Sequence, residues 1–368
     1  MREFLDGSAA IVRGALDAGC TFFAGYPITP ASSILGAMMR DLPATGGTAI
    51  QGEDEIASIG MCIGAAMTGA RAMTATSGPG ISLYSENIGL AVMGEVPLVI
   101  VDVQRMGPST GGATTASQGD VQFVRWGTSG GFPVIALAPA SIVDCYRLTV
   151  KAFDLAERFR CPVFVVTDKE LNLTMNTVDV AALRAPPARE RATAGEPGAP
   201  YRYAPAGDVP PLRHFGDAEI VRFTGSTHDE HAFITKDPAT VGALNRHLVA
   251  KIEDHLDEIE MVEADLEEGA GTLVLGYGVT AGAIRVAVHR ARRLGHRLGA
   301  VTVQSLWPVP RRALTTALGD AERIVVAELN PGLYHREIER LARGRDVVSV
   351  TRMDGELISP EQILEAAL

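Results

Sequence analysis

The sequence predicts an α/β fold in which an open parallel sheet, covered by helices, is followed by a smaller α/β domain. Short β-rich runs alternate with helical patterns from Asp6 to about residue 180, and again from about residue 270 to the C-terminus. Several runs, such as "VPLVIVDV", are apolar almost throughout, which is typical of strands buried on both faces. Regular alternation of this kind favours parallel sheets with helical crossovers.

The first block, residues 1–180, supplies the larger sheet. Helices are predicted over "GSAAIVRGALDAG", "ASSILGAMMRDLP", "EIASIGMCIGAAMTG", "LYSENIGLAVMGE" and "SIVDCYRLTVKAFDLAERF". Strands are predicted over "TFFAG", "RAMTAT", "VPLVIVDVQR", "FPVIALAP" and "CPVFVVTD". Together these elements predict one open α/β domain.

Residues 181–268 interrupt the alternation. The stretch "RAPPARERATAGEPGAPYRYAPAGDVPP" is too rich in proline and glycine for a continuous helix or central strand, so it predicts an ordered arm or loop. From Val241 to Glu268 many charges surround apolar residues at helical spacing, which predicts a long surface helix joining two domains. Strand and helix patterns return over residues 269–368 and predict the smaller domain.

The composition limits the classes of partner. The net charge of −11 argues against a nucleic acid or an anionic membrane as the main partner. No apolar run is long enough to span a bilayer, and the N-terminal residues lack the apolar region of a signal peptide, so we expect a cytoplasmic protein without membrane contact. The four cysteines lie far apart without a C-x-x-C pair, so we expect buried thiols and no metal site in this chain.

Two loops after predicted strands have the character of binding loops. "TSGPGIS", Thr76 to Ser82, offers backbone amides at a helix start, where an anion can bind. "RMGPSTGG", Arg105 to Gly112, follows a buried strand at the carboxyl edge, where open α/β sheets bind ligands. The glycines of "GYGVTAG" do not match the dinucleotide fingerprint and predict a tight turn instead.

Three acids, Glu53, Asp54 and Glu55, precede the helix "IASIGMCIGAA". Acids at a helix N-terminus commonly serve as caps or interact with the helix dipole. Glu55, however, begins a helix of small residues that a flat cofactor or another chain can approach closely. Both interpretations, cap and functional carboxyl, are open at this point.

A series of motifs makes the chain resemble a known family. They are, in order, "GYPITP", "QGEDEIAS", "GAAMTGAR", "TATSGPGISL", "ENIGLAVMGEVPLVIVDVQRMGPSTG", "QGDVQF", "FTGSTHDE" and "VVAELNPGLY". In this order, over nearly the whole chain, they resemble the alpha subunit of 2-oxoacid:ferredoxin oxidoreductases, most closely the 2-oxoglutarate type. The resemblance implies thiamine-diphosphate-dependent oxidative decarboxylation of a 2-oxoacid to an acyl-coenzyme A, with electrons passed to ferredoxin.

The resemblance also implies a division of the fold and a first catalytic residue. The first domain would be the pyrimidine-binding domain of thiamine enzymes, and the second a transketolase C-terminal-like domain serving as scaffold and dimer contact. Thiamine enzymes need a carboxyl beside N1′ of the aminopyrimidine to activate the cofactor. We assign this role to Glu55, nine residues before Gly64, with Glu53 as the alternative.

The "YPITP" loop would reach the reacting end of the cofactor, with Tyr26, Pro27 and Ile28 as cofactor contacts. The hydroxyl of Thr29 would donate a hydrogen bond to the 2-oxo or carboxylate oxygen of the substrate. Pro27 and Pro30 restrict the backbone and would fix this hydroxyl in advance. The alternative is a turn with Thr29 as helix N-cap and Pro30 at the first helical position.

Arg105 is predicted to pair with the C1 carboxylate of the 2-oxoacid, because a guanidinium matches a carboxylate in a bidentate arrangement. A surface arginine is the alternative. Ser109 and Thr110 are expected to be polar neighbours of the substrate, and Ser77 and Gly78 to contact the cofactor.

Missing motifs indicate partner subunits. The chain contains no G-D-G motif, which binds the diphosphate through Mg²⁺ in this superfamily, and no cysteines at cluster spacing. We therefore expect a beta subunit that carries the diphosphate, Mg²⁺ and a [4Fe–4S] cluster, in an (αβ)₂ assembly. Coenzyme A would be the co-substrate, and a gamma subunit would be a separate chain or absent.

Some residues depart from the 2-oxoglutarate pattern. "GTSGGFP", Gly127 to Pro133, lacks a histidine and an acid that relatives often carry, and Tyr84 replaces a methionine. Pyruvate and branched-chain 2-oxoacids are therefore alternative substrates. A non-redox two-chain thiamine enzyme and a non-catalytic subunit are the alternatives from other classes. His228 and Asp229 are expected at a subunit interface or in a structural hydrogen-bonded pair.

Overall fold

The computed structural model describes residues 1–193, 198–216 and 220–368. Its strands are β1 (Arg2–Leu5), β2 (Phe22–Gly25), β3 (Thr48–Gln51), β4 (Ala72–Thr76), β5 (Leu98–Gln104), β6 (Ile135–Leu137), β7 (Pro162–Asp168), β8 (Asn176–Asp179), β9 (Val262–Asp265), β10 (Thr272–Gly276), β11 (Leu298–Val303), β12 (Ser305–Trp307), β13 (Arg323–Glu328) and β14 (Asp346–Thr351).

The α-helices of the same residues are α1 (Gly7–Asp17), α2 (Ser32–Asp41), α3 (Glu55–Met67), α4 (Pro79–Leu83), α5 (Ser85–Met93), α6 (Val121–Trp126), α7 (Ile142–Phe159), α8 (Lys169–Leu173), α9 (Pro238–Glu253), α10 (Leu256–Ile259), α11 (Thr280–Arg293), α12 (Arg311–Leu318), α13 (His335–Leu341) and α14 (Pro360–Ala367). Two short 3₁₀ helices are Leu42–Thr45 and Val180–Ala182. In the described part of the chain, no helix is long and apolar enough to cross a bilayer.

The large sheet has the strand order β3-β2-β4-β5-β7-β6-β12. The first six strands run parallel, as the apolar runs predicted, and β5 and β7 at the centre are buried at every residue. The edge strand β12 pairs antiparallel with β6, although it comes from the C-terminal block. The second domain thus extends the sheet of the first.

The small sheet has the order β14-β13-β10-β11-β9, in which only β9 is antiparallel to its neighbour. The expected long surface helix from Val241 to Glu268 is wrong. Helix α9 ends at Glu253, and after the short α10 the chain becomes the edge strand β9. The apolar side of α9 is buried rather than exposed to solvent. Strand β9 pairs with the otherwise free edge of β11, and this pairing satisfies the hydrogen-bonding groups of its backbone.

The helices of the first domain cover both faces of the large sheet. On one face, α1, α2 and α7 pack on alternate residues of the central strands. On the other, the core formed with α3 and α5 continues into the second domain, where Leu275, Val301 and Ile324 belong to the same apolar cluster. The two α/β parts therefore share one core.

The proline-rich arm is fixed to the first domain by a buried charged cluster. Arg160 donates hydrogen bonds to the carbonyl oxygens of Pro200 and Pro210. Glu95, fully buried, accepts from His247 and Lys251 of α9. Burial acts to raise the pKa of Glu95, but Lys251 and His247 hold it below its ordinary value. Residues 194–197 of the predicted arm, and residues 217–219 beyond it, lie outside the described residues.

Candidate active site at the carboxyl edge of the large sheet

The predicted site residues follow the carboxyl ends of neighbouring parallel strands. Residues 26–29 follow β2, Glu55 follows β3, Ser77 and Gly78 follow β4, and Arg105 follows β5. Since β5, β4, β2 and β3 are consecutive in the sheet, these residues gather at one edge. That edge is where open α/β sheets bind their ligands.

Glu55 is the acid that turns toward the sheet edge. Asp54 is the N-cap of α3, and its side chain accepts from the Ala57 amide, so Glu55 is not needed as the cap. Glu55 is only 7% exposed, whereas Glu53 is exposed. A Cβ added to Gly80 would lie 3.0 Å from Oε1 of Glu55, which places this carboxyl against the start of α4. The geometry favours Glu55 over Glu53 for a catalytic role.

The turn between β4 and α4 offers polar groups without partners. Thr76 and Ser77 are fully buried, and their hydroxyls have no hydrogen-bond partner in the described ranges. A Cβ on Gly80 would approach Oγ1 of Thr76 to 2.1 Å, so a side chain at this position would displace the hydroxyl. The Thr76 hydroxyl and the Glu55 carboxyl both lie beside Gly80 and can exchange hydrogen bonds with a flat nitrogen heterocycle. The residues therefore fit the aminopyrimidine of thiamine diphosphate.

The "YPITP" loop presents Thr29 outward. Helix α2 begins at Ser32 after Ala31, without a side-chain cap, so the alternative of Thr29 as helix N-cap is wrong. The Thr29 side chain is exposed, and its backbone oxygen accepts a hydrogen bond from Nη1 of Arg105 at 2.5 Å. Tyr26 and Pro27 are also exposed, while Ile28 packs partly against the core. Three of these residues are thus open to a cofactor or partner.

Arg105 is a buried cation that forms no ion pair within the described residues, although its charge acts on the buried carboxyl of Asp120 from beyond ion-pair distance. It is only 5% exposed, which contradicts the alternative of a surface arginine. Nη1 donates to the Thr29 oxygen and Nη2 to the Thr110 oxygen at 3.1 Å, while Nε has no partner in the described chain. A buried charge without a directly paired counter-ion is unfavourable, and an anion bound beside it would relieve that cost. The site is therefore suited to a carboxylate.

The loop after Arg105 contributes its backbone to the site. Thr110 offers its carbonyl oxygen to the guanidinium, while the side chains of Ser109 and Thr110 lie in an exposed stretch. Ser109 has a φ of 52°. Gly78 lies close to the same arginine, since an added Cβ would stand 3.4 Å from its Cγ. Arg105 is therefore enclosed by three loops.

Sequence reasoning missed two acids beneath the site, Asp102 and Asp120. Asp102 is fully buried in β5, and both of its carboxylate oxygens have no partner in the part of the chain described. Burial raises the pKa of Asp120 to about 6, while Arg105 and the Gly78 amide act in the opposite direction. Burial and the neighbouring Asp120 raise the pKa of Asp102. The signal was available, because an acid inside the apolar run "LVIVDV" is unusual.

Two of the noted departures lie away from Arg105. Tyr84 is fully buried and its hydroxyl forms a 2.8 Å hydrogen bond with Thr74. Thr128, Ser129 and Phe132 line a cavity of about 800 Å³ with α5 and α9. None of the predicted site residues lines this cavity.

His228 is buried and bonds to the Ser226 oxygen rather than to Asp229, so His228 and Asp229 are not a hydrogen-bonded pair.

Comparison with known proteins agrees with the motifs. Residues 13–247 match the family described as pyruvate flavodoxin/ferredoxin oxidoreductase, thiamine diphosphate-binding, and residues 270–363 match pyruvate:ferredoxin oxidoreductase core domain II. A 2-oxoglutarate synthase subunit KorA of Methanothermobacter thermautotrophicus is 40% identical, over 99% of this chain and 98% of that protein. The ketoisovalerate oxidoreductase subunit VorB of the same organism is 34% identical, over 99% and 96%.

Solved structures agree with the fold. The 2-oxoglutarate:ferredoxin oxidoreductase of Magnetococcus marinus, solved with 2-oxoglutarate, coenzyme A and succinyl-CoA bound, has a TM-score of 0.92 at 31% identity. The match covers 99% of this chain and 64% of that chain. A split-gene transketolase has a TM-score of 0.55 at 12% identity and shares the fold alone. From its motifs, its fold and these matches, the chain belongs to the 2-oxoacid:ferredoxin oxidoreductase family, in its thiamine-diphosphate-binding alpha-subunit branch.

Proposed function

We propose that this chain is the alpha subunit of a 2-oxoglutarate:ferredoxin oxidoreductase, which converts the 2-oxoacid to an acyl-coenzyme A and passes electrons to ferredoxin. The observation that carries the proposal is Arg105, a buried guanidinium that forms no ion pair within the described residues, at the sheet edge that also bears Glu55. A 2-oxoacid brings a carboxylate that can pair directly with this cation.

Each site residue has a chemical task in this proposal. Bound thiamine diphosphate supplies the electron sink that decarboxylation of a 2-oxoacid requires. Glu55 holds and exchanges a proton at the N1′ atom of the aminopyrimidine, from a position that water reaches poorly. Arg105 binds and orients the substrate carboxylate, and the exposed hydroxyl of Thr29 donates to a substrate oxygen. Ser77 and Gly78 contact the cofactor, and Ser109 and Thr110 lie beside the substrate.

The proposal requires partner subunits. The described residues contain no cluster of histidine, cysteine, aspartate or glutamate that can hold a metal ion. A beta subunit would therefore bind the diphosphate and Mg²⁺ and carry the [4Fe–4S] cluster, in an (αβ)₂ assembly, with or without a separate gamma subunit. Coenzyme A is the acyl acceptor and ferredoxin the electron acceptor. The complex would work in the cytoplasm.

Among 2-oxoacids, 2-oxoglutarate is the preferred candidate, because identity to the 2-oxoglutarate synthase subunit exceeds identity to the ketoisovalerate subunit, 40% against 34%. Both relatives match over nearly the whole chain, so a branched-chain 2-oxoacid is the second candidate.

The test is to purify the tagged chain from its native cells and assay coenzyme A-dependent viologen reduction. The substrates are 2-oxoglutarate, pyruvate and 2-oxoisovalerate. We expect a brown complex with a G-D-G-containing partner and the highest kcat/KM for 2-oxoglutarate. A colourless chain that purifies alone and reduces nothing with any of the three would refute the proposal.

A further inference from the structure

The segment from Met106 to Ser117, here called the substrate loop, is a compact unit. Its backbone is closed by hydrogen bonds from Met106 N to Thr115 O at 3.0 Å and from Gly112 N to Met106 O at 2.9 Å. Beyond the loop the chain returns to the strand that it left, since the Asp120 amide donates to Oε1 of Gln104, the last residue of β5, at 3.1 Å. A closed loop of this kind shifts as one body, so its anchor determines where the Thr110 oxygen meets Arg105.

The anchor is the side chain of Gln118, which is fully buried. Nε2 donates to the Tyr277 oxygen at 3.1 Å and to Oδ2 of Asp168 at 3.4 Å. Oε1 accepts from the Leu329 amide at 3.1 Å and from the Thr280 hydroxyl at 3.2 Å. A primary amide has two donors and two acceptor positions, so this side chain is fully satisfied. Three of its four partners belong to the second domain.

The backbone of Gln118 and the neighbouring Ser117 also bond to the second domain. The backbone N–H of Gln118 donates to the Leu329 oxygen at 2.9 Å, and its backbone carbonyl accepts from Nδ2 of Asn330 at 2.8 Å. The Ser117 hydroxyl also donates to the Leu329 oxygen. Tyr277 follows β10 and Leu329 follows β13, so the carboxyl edge of the small sheet holds the loop of the large one.

Gly355 of the second domain also packs against the substrate loop. Gly355 lies so close to the loop that an added Cβ would stand 2.1 Å from Cγ2 of Thr115 and 3.4 Å from Cε of Met106. Its φ of 85° also favours glycine. The second domain therefore contacts both the end and the side of the substrate loop.

We infer that Gln118 is a positioning residue, through which the second domain holds the substrate loop and thereby sets the affinity of Arg105 for the carboxylate of the 2-oxoacid. The inference rests on the proposed function, in which Arg105 binds that carboxylate. The second domain is then part of substrate recognition as well as a scaffold.

The first test is Gln118→Ala in the complete complex from native cells. The substitution removes the side-chain bonds of residue 118 but keeps its backbone bonds and that of Ser117, so the Thr110 oxygen that orients Arg105 would be held less firmly. KM for the 2-oxoacid should therefore rise about tenfold, with kcat changed less than about twofold. KM for coenzyme A should not change. The matched control is Gln122→Ala, whose Nε2 also reaches the second domain, at the Leu333 oxygen, but from beyond the loop. It should leave KM for the 2-oxoacid unchanged.

A second pair of variants tests the inference even if the Gln118→Ala protein does not fold. Gly355→Ala places a Cβ against the loop and should raise KM for the 2-oxoacid. Thr115→Ala in that background removes the methyl that this Cβ contacts and should lower KM again, although alanine keeps the backbone strain of a φ of 85°. A rise that Thr115→Ala leaves wholly unchanged would come from strain at residue 355 itself and would contradict a loop-specific effect.

Hydrogen exchange of the loop amides supplies a readout that needs no activity. Gln118→Ala should speed exchange over residues 106–117, and Gln122→Ala should not. If the wild-type complex oxidises a 2-oxoacid and both KM and exchange are unchanged in Gln118→Ala, the inference is wrong and the proposed function stands. If the wild-type complex oxidises no 2-oxoacid, the proposed function fails, and the substrate claim of the inference fails with it, even where exchange increases.

Discussion

The Nη1 atom of Arg105 lies 2.5 Å from the backbone oxygen of Thr29, to which it donates a hydrogen bond. This bond joins the loop after β5 to the loop after β2, two strands away in the sheet. It joins the buried guanidinium to the backbone of the exposed residue whose hydroxyl is assigned to the substrate, at the edge of the sheet. A 2-oxoacid presents the two groups that this pair can bind, a carboxylate and a keto oxygen.

Arg105→Lys should lower kcat/KM for the 2-oxoacid by about 10²-fold, because an ammonium keeps the charge but loses the planar donors that bind Thr29, Thr110 and the carboxylate together. Steady-state kinetics of the complex measures this. The control is Arg340→Lys, whose side chain is 63% exposed. Equal activity of both variants would show that Arg105 does not bind substrate.

Glu55→Gln should reduce kcat by about 10²-fold or more, since the amide cannot exchange a proton with the cofactor ring. The matched control Glu53→Gln changes an exposed acid two residues earlier and should retain activity within about twofold. Turnover of both variants in the assembled complex is the measurement. The reverse pattern, with loss only in Glu53→Gln, would assign the role to Glu53.

Asp120→Asn should change the pH dependence of stability. Burial raises the pKa of Asp120 to about 6, so the folded chain binds this proton more tightly than the unfolded chain. The carboxyl therefore destabilises the fold increasingly as pH rises from about 4 to 6, and fully above that. Asparagine removes this effect and should raise stability by roughly 1–3 kcal/mol at pH 7 but hardly at pH 4.

The measurement for Asp120 is chemical denaturation of variant and wild type at both pH values. Asp354→Asn serves as a control of opposite sign, because the hydrogen bond from Arg352 lowers the pKa of Asp354 to about 2. That substitution should not stabilise the chain at pH 7. An Asp120→Asn variant with the same stability difference at both pH values would contradict the raised pKa.

Lys251→Met should destabilise the chain by about 3–5 kcal/mol, because it leaves the fully buried Glu95 without its main counter-ion. The loss should appear as a lower denaturation midpoint. Lys236→Met, at an exposed position, should change stability by less than about 0.5 kcal/mol. A small effect of Lys251→Met would mean that His247 and Arg160 suffice to balance the charge of Glu95.

Elements with strong local patterns were predictable. The apolar runs of β5 and β7 predicted central parallel strands, and the acids before α3 predicted where that helix begins. The helix predicted over residues 254–268 was wrong. The pattern there fits both helical spacing and strand alternation, and pairing with the free edge of β11 favours the strand. Strand β12 had no local signal, since its pairing with β6 joins residues far apart in sequence.

The site was predictable where a loop follows a strand, as for Arg105 and Thr29. The contacts of Gln118 were not, because its partners Tyr277 and Leu329 are 159 and 211 residues away. Asp102 offered a signal, an acid in a buried strand, but its neighbour Asp120 became visible only in the folded chain.

The most direct test of the central claim is a structure of the complex with its cofactor and 2-oxoglutarate bound. The account predicts the C1 carboxylate in a charge-assisted hydrogen bond of about 2.7–2.9 Å with the Arg105 guanidinium, and Glu55 beside N1′ of the aminopyrimidine. A substrate carboxylate bound by another cation, with Arg105 bonded only to the oxygens of Thr29 and Thr110, would contradict it.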